Sequence, residues 1–348
     1  LIICSENFSP IPEARYNGGD YWNNECYFND DIQVLKDFIS ISSSSLNPDL
    51  DLNDNNIIEW FELGSHVWEN GRLVEFYDWY NREIPFTWNN WNSEITYFDS
   101  ELSGSIPESI VNWTKLEVFW LRNKSTSEYS LSGNLTAIKD LPSLKYLGIM
   151  RHSFSGEIPS NIYELSNLVT LYLGGMNLSG SISPNVSNLT NLRWFWVGEN
   201  NLSGELPQEL WEMSKLYEIT VEHNNFTGSI PEFSSNQLPS LFWLNLNDNN
   251  FGSTIPNSIC NLDDLMARLG QQAPEVNGSV YWFDISNNNF CPEYPSCIVD
   301  YIGEQNIENC EENKITNFNS KLNESYEDII LNRINIKSPP KFDKIKFN

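Results

Sequence analysis

The chain has 348 residues, with 20 Lys and Arg against 47 Asp and Glu, a net charge of −27. That balance excludes sequence-independent binding to nucleic acid and docking on an anionic membrane face, since both need a basic surface. A hydrophobic content of 40% supports a packed core rather than global disorder, and no apolar run approaches the roughly 18 residues of a membrane-spanning helix.

Two cysteines, Cys4 and Cys26, lie near the start, and four, Cys260, Cys291, Cys297 and Cys310, lie near the end. None falls in the 233 residues between Cys26 and Cys260. An even count split this way reads as two disulfide-closed caps made in an oxidising compartment. The chain starts at Leu1 without methionine, which is consistent with a removed signal peptide and a secreted protein.

Residues 1–91 differ in composition from the rest of the chain. In DDIQVLKDFIS, Ile32, Leu35 and Phe38 recur at helical spacing with acids at the start, so a short amphipathic helix is predicted over residues 30–40. DLNDNNIIEWFE then matches an EF-hand loop at Asp51, Asn53, Asn55, Ile58, Glu59 and Glu62, with Ile57 supplying its carbonyl. Calcium takes six to eight hard oxygens from such a loop, so a structural Ca2+ is the expectation. Asn56 stands where the loop normally has Gly. The alternative is a solvated Asp/Asn turn between two helices.

Segments starting at Leu144, Leu168, Leu192, Leu216 and Leu241 repeat with steps of 24, 24, 24 and 25 residues. Each reads Leu-x-x-Leu-x-Leu, then Asn-x-Leu-Ser-Gly-x-Ile-Pro, then a second apolar stretch. Looser copies start near Asn92, at Leu116 and at Val280, the last after an insertion from Leu265 to Ser279, and a degenerate one lies around Leu73 to Trp91. One unit cannot bury apolar positions 1, 4 and 6 by itself, whereas stacked units bury them in a continuous core. Residues 3 to 7 alternate as a short strand, so stacking gives a parallel sheet on one side. Gly at position 13 turns the chain sharply and Pro at position 16 stops the ladder.

LSGSIP at 102–107, FSGEIP at 154–159, LSGELP at 202–207 and FTGSIP at 226–231 resemble the plant-type extracellular leucine-rich repeat family of receptor-like ectodomains and polygalacturonase-inhibiting proteins. The resemblance covers residues 92–310. It implies an α/β solenoid with a parallel β-sheet on the concave face, a 3₁₀ and extended convex side, and disulfide-closed caps. The predicted helix near the start then resembles that family's helical N-terminal cap. Four parts are expected: a cap over 1–91, the repeat array over 92–290, a cysteine-containing cap over 291–310 and an extended tail over 311–348. The family's asparagine ladder at position 9 is present at Asn200, Asn224, Asn249 and Asn288, and His152 and Met176 should break it. CPEYPSC resembles the paired-cysteine cap, which implies Cys291–Cys297 with Cys260–Cys310 among three possible pairings.

The tail holds seven cations and six acids while the rest of the chain carries −28. Its last stretch has Arg333, Lys337, Lys341, Lys344 and Lys346 against Asp343 alone. It reads as a disordered tail, or as an arm that docks on an acidic surface of its own chain or of a neighbour.

Eleven Asn-x-Ser/Thr sequons occur, at Asn7, Asn112, Asn123, Asn134, Asn177, Asn185, Asn188, Asn201, Asn225, Asn277 and Asn323. In a secreted eukaryotic protein these are acceptors of N-linked glycans, although the repeat itself generates several of them. The three histidines, His66, His152 and His223, sit in no metal or triad motif, and no catalytic or nucleotide-binding signature is present. A non-catalytic protein is therefore expected.

Function should sit on the strand face, at outward positions 2, 3, 5, 7 and 8. These hold Trp120, Tyr146, Tyr172, Trp194, Trp196, Tyr217, Phe242, Trp243, Tyr281 and Trp282. Such rings form an apolar patch of the kind that marks an interaction site, or stack on one another across strands. Arg122, Lys145, Arg151 and Arg193 lie toward the first half of the array; Glu199, Glu218, Glu222, Asp248 and Asp284 lie toward the second. Two functions fit: a secreted module recognising a protein or glycan ligand, or a self-associating subunit of an extracellular fibre linked by the tail as a homo-oligomer.

Overall fold

A computed structural model of the chain describes residues 6–10, 26–42, 46, 58, 63, 65–70, 72–77, 79–80, 98–99, 101–123, 130–271, 282–308 and 310. The calcium-loop residues Asp51, Asn53, Asn55, Ile57, Glu59 and Glu62 lie outside this set, as do Cys4, Tyr281, Asn277, Asn323 and the whole tail.

Nine strands form the inner sheet. In spatial order they are Phe283–Asp284, Trp243–Asn245, Glu218–Thr220, Trp194–Trp196, Thr170–Tyr172, Tyr146–Met150, Val118–Arg122, Arg72–Tyr77 and Ser65–Glu69. All neighbouring pairs are parallel except the first hairpin, Ser65–Glu69 with Arg72–Tyr77. The sheet therefore reaches back into residues 65–77.

The repeat dictates what is buried. Positions 1, 4 and 6 are Leu144, Leu147 and Ile149 in one unit and Leu192, Phe195 and Val197 two units later, and every one is 0% exposed. A side chain there is flanked by its counterparts in the units before and after, so burial needs the stack. On the other side, the Asn-Leu-Ser-Gly segments form a second parallel sheet of five strands, Ser132–Gly133, Ser153–Glu157, Asn177–Gly180, Asn201–Glu205 and Asn225–Thr227. Pro159, Pro207 and Pro256 then precede the helical turns Ser160–Glu164, Gln208–Trp211 and Asn257–Asn261 on the convex side.

Gly156, Gly180, Gly204 and Gly228 all take positive φ at position 13, between 80° and 87°. In the Leu241 unit Ser253 holds that place at φ 71°.

The ladder positions are satisfied from unit to unit. Asn224 accepts from the Leu202 amide at 2.9 Å and donates to the Val197 carbonyl at 3.0 Å. Asn200, Asn249 and Asn288 repeat the pattern, and Gln305 continues it in the last turn by accepting from the Phe290 amide. His152 does not break the ladder as expected: its Nδ1 accepts from the Leu131 amide at 3.2 Å, standing in for the asparagine oxygen.

At the N-terminal end the helix Asn29–Ser42 buries Ile32, Val34, Leu35 and Phe38. Asp31, in its first turn, is fully buried. Its carboxylate accepts from Arg72 Nε at 2.8 Å, Arg72 Nη2 at 3.0 Å and the Leu73 amide at 2.9 Å. The helix is thereby fastened to the first parallel strand.

At the C-terminal end the cysteine pairing differs from expectation. The bonds are Cys260–Cys297 and Cys291–Cys310, with Cα–Cα distances of 5.9 and 5.6 Å. Cys260 sits on the convex turn Asn257–Asn261, while Cys291 ends the strand Asn289–Cys291 that pairs with Gly252–Thr254. The cap folds so that Cys297 covers the former and Cys310 the latter, which ties the last repeat to the cap twice. Each bond of this kind stabilises by about 2–4 kcal/mol.

The predicted sequons divide by exposure. Asn7, Asn134, Asn177, Asn185, Asn188, Asn201 and Asn225 are exposed, and Asn112 is half-buried. Asn123 is only 4% exposed, so the folded surface does not present it to a glycan.

Candidate functional site on the concave face

Parallel register aligns the concave residues in rows that cross the strands. One row runs Val118, Tyr146, Thr170, Trp194, Glu218 and Trp243. The next runs Tyr77, Trp120, Gly148, Tyr172, Trp196, Thr220, Asn245 and Asp284.

Glycines interrupt these rows and the rings lie down in the gaps. A Cβ at Gly148 would stand 2.5 Å from the Trp120 ring, and one at Gly174 would stand 2.6 Å from the Trp196 ring. Any side chain at either place would therefore lift the indole off the sheet. Tyr172 stands between the two, with ring centroids 5.6 Å from each. Its hydroxyl donates to Glu218 Oε2 at 2.6 Å. The Trp196 indole Nε1 donates to Glu222 Oε1 at 2.8 Å. Glu222 in turn crosses Gly198, where a Cβ would stand 2.4 Å from its carboxyl carbon.

A second group of rings gathers at the other edge. Trp194 meets Tyr217 and Phe242 edge-on at 5.6 and 5.7 Å. Phe242 meets Trp282, which meets Trp243 at 4.8 Å. Arg268 covers this end, its guanidinium 4.5 Å from the Phe242 centroid and 5.0 Å from that of Trp282.

Nine of the ten aromatics predicted for the face are described, and they do not form one open patch. Trp120, Trp243 and Trp282 are 1%, 9% and 7% exposed, and act as walls. Tyr146, Tyr172, Trp194, Trp196, Tyr217 and Phe242 are half-buried by stacking on one another. The open surface is the tops of these rings together with the acids beside them.

Neutral donors reach these acids: Tyr172 bonds Glu218, Trp196 bonds Glu222, Asn247 and Asn287 bond Asp248, and Ser286 bonds Asp284. Burial pushes the Glu222 carboxyl up from 4.5 to about 7; the Trp196 indole opposes this, and Glu199 and Asp284 add to it. His223 Nδ1 lies 3.4 Å from Asp248 on an exposed edge. Of the four cations expected in the first half, Lys145 pairs with Glu117 at 2.7 Å and Arg193 lies over the Tyr217 ring, 5.4 Å from its centroid.

Five buried polar atoms on these strands have no hydrogen-bond partner: Thr170 Oγ1, Thr220 Oγ1, Glu222 Oε2, Trp243 Nε1 and Asn247 Oδ1. Folded proteins pair nearly all such groups, and each unpaired one costs about 1–3 kcal/mol. All five sit on, or within two residues of, the strands Thr170–Tyr172, Glu218–Thr220 and Trp243–Asn245. Composition and spacing gave no sign of it, although glycine at outward positions beside bulky neighbours signals where a ring can lie flat.

A family model described as Leucine Rich Repeat matches residues 240–262. The stacked units with their parallel inner sheet form a repeat solenoid, and this match falls on the unit that starts at Leu241. Similar solved structures include the leucine-rich repeat ectodomain of the Arabidopsis receptor kinase HAESA in complex with an IDA peptide hormone, at 26% identity over 58% of this chain and 30% of that one, with a TM-score of 0.46. The ectodomain of GASSHO1/SCHENGEN3 from Arabidopsis thaliana, in complex with CASPARIAN STRIP INTEGRITY FACTOR 2, gives 25% identity over 59% and 25% of the two chains, with a TM-score of 0.47. A plant ice-binding protein gives 21% identity over 80% of this chain and 90% of that one, with a TM-score of 0.47. The solenoid thus spans well under half the length of the receptor ectodomains it matches. No curated protein matches the sequence. Among the described residues no helix is long and apolar enough to cross a membrane.

Proposed function

We propose that the solenoid is an extracellular, non-catalytic recognition module whose concave face binds an extended protein or peptide segment between the strands Thr170–Tyr172 and Trp243–Asn245. The observation that carries this reading is the set of five unpartnered polar atoms on that stretch, flanked by half-buried Trp and Tyr rings. An extended chain lays its side chains on the rings and, where the rings part to admit it, offers alternating donors and acceptors to such atoms. Aromatic anchors of this kind dominate binding energy where they are partly desolvated before contact. The two disulfides support an oxidising, extracellular setting.

The test is selection of binders from a random peptide library on the immobilised protein. The selected peptides should lose at least tenfold in affinity on Trp196→Ala or Thr220→Arg, and nothing on Ser155→Arg in the outer sheet. Sensitivity to Ser155→Arg alone would move the site to the opposite face and overturn the proposal.

A further inference from the structure

The acids of the concave face have a counterpart in the chain itself. Five of them, Glu199, Glu218, Glu222, Asp248 and Asp284, lie on or beside four neighbouring strands. Residues 333–348 carry five cations and one acid. We propose that this basic C-terminal segment is the native occupant of the concave face of its own chain, its ammonium and guanidinium groups lying over Tyr172 and Trp196 against the Glu218 and Glu222 carboxylates. The inference rests on the concave-face reading above and names its ligand.

The local chemistry favours a cation. An indole face attracts an ammonium or guanidinium group, by about 0.5–2 kcal/mol depending on desolvation. The bond from Trp196 Nε1 to a carboxylate pushes electron density into that ring and strengthens the attraction. Glu222 Oε2 has no hydrogen-bond partner, and a cation placed over the Trp196 ring would favour the ionised carboxylate that Trp196 Nε1 already bonds. Tyr172 and Glu218 repeat the pairing of ring and carboxylate, with Tyr172 one strand over in the same row as Trp196. The charged groups around this floor are otherwise Glu199, Asp248, Asp284 and His223, with Arg151 at its far edge, Arg193 over the Tyr217 ring and Arg268 over Phe242 and Trp282. The cations Arg193 and Arg268 already lie over neighbouring rings of this face, the contact proposed for the basic segment at Tyr172 and Trp196.

Reach permits the docking. The described cap ends at Cys310, bonded to Cys291. Residues 311–332 lie between it and Arg333, and at about 3.3 Å per residue they span up to roughly 70 Å. From Phe283–Asp284 to Trp194–Trp196 is three strand spacings, about 15 Å at 4.8 Å each. A segment tethered this closely has an effective concentration in the millimolar range, so even modest contacts would keep it in place. An outside ligand would then have to displace it.

The experiment uses the full chain. In one variant Arg333, Lys337, Lys341, Lys344 and Lys346 are all replaced by Gln, and the probe is a synthetic peptide of residues 333–348 with its native side chains. The variant should bind that peptide at least tenfold more tightly than the unaltered chain, whose own segment competes. In the variant background, Glu222→Gln, which keeps an acceptor for Trp196, and Trp196→Ala should each weaken binding at least tenfold. Equal binding by both chains, or indifference to the concave substitutions, would overturn the proposal. A self-competition that fades on dilution, with dimers in sedimentation, would place the segment on a second copy and overturn the own-chain claim. Library-selected peptides that still need Trp196 when this peptide fails would remove only the occupant; loss of both would remove the concave-face reading as well.

Discussion

The indole of Trp196 and the carboxylate of Glu222 form a bonded pair, 2.8 Å apart, laid across the backbone of Gly174 and Gly198. The pair puts an acid under apolar cover on a face that the repeat leaves open. Its burial makes the carboxyl hold its proton more tightly than an exposed glutamate does.

The sign of the resulting pH dependence comes from linkage. The folded value of about 7 exceeds the ordinary 4.5, so the folded state takes up the proton first. The stabilisation is fully present below about pH 4.5 and is lost as pH rises through about 7. The gap is worth at most about 3 kcal/mol. Glu222→Gln should therefore raise Tm by several degrees at pH 8 and change it little at pH 5. Equal shifts at both pH values in thermal melts would contradict this.

Asp31 and Arg72 form the corresponding pair in the N-terminal cap. Removing one partner of a buried ion pair strands the other, at a cost of about 3–5 kcal/mol. Asp31→Ala should lose that much in denaturant unfolding, and it also frees the Leu73 amide. Lys145→Ala, which breaks an exposed pair with Glu117, should cost less than about 1 kcal/mol.

Ser253 sits in the left-handed region that glycine fills at the same place in six other copies, at Gly104, Gly133, Gly156, Gly180, Gly204 and Gly228. A non-glycine residue pays about 1–2 kcal/mol there, partly offset by the greater freedom of glycine in the unfolded chain. Ser253→Gly should stabilise by about 0.5–1 kcal/mol, while Gly204→Ala, at φ 80°, should destabilise by a similar amount or more. Calorimetry on both variants checks the contrast.

Much of the fold is legible in the sequence because the repeat states it several times. The spacing of leucines alone places positions 1, 4 and 6 in the core, and Leu147, Leu171 and Leu244 are fully buried. The outer sheet is not legible. Asn-Leu-Ser-Gly is poor in strand formers, and it becomes a strand only because an identical segment lies alongside it. The cysteine pairing also escapes the sequence, since it depends on how the cap folds back over Asn257–Asn261. On the concave face the period marks the ring positions as outward. That the rings stack rather than stand open depends on Gly148 and Gly174, whose effect needs the neighbouring strands to be in place. Nothing in the pattern sets Glu222 apart from the chain's other acids.

Hydrogen–deuterium exchange with a library-selected peptide bound tests the concave-face assignment most directly. New protection is predicted on residues 170–174, 194–198, 218–222 and 243–247, and none on the outer strands Ser153–Glu157, Asn177–Gly180 and Asn201–Glu205. Protection confined to those outer strands, with the inner ones unchanged, would contradict it.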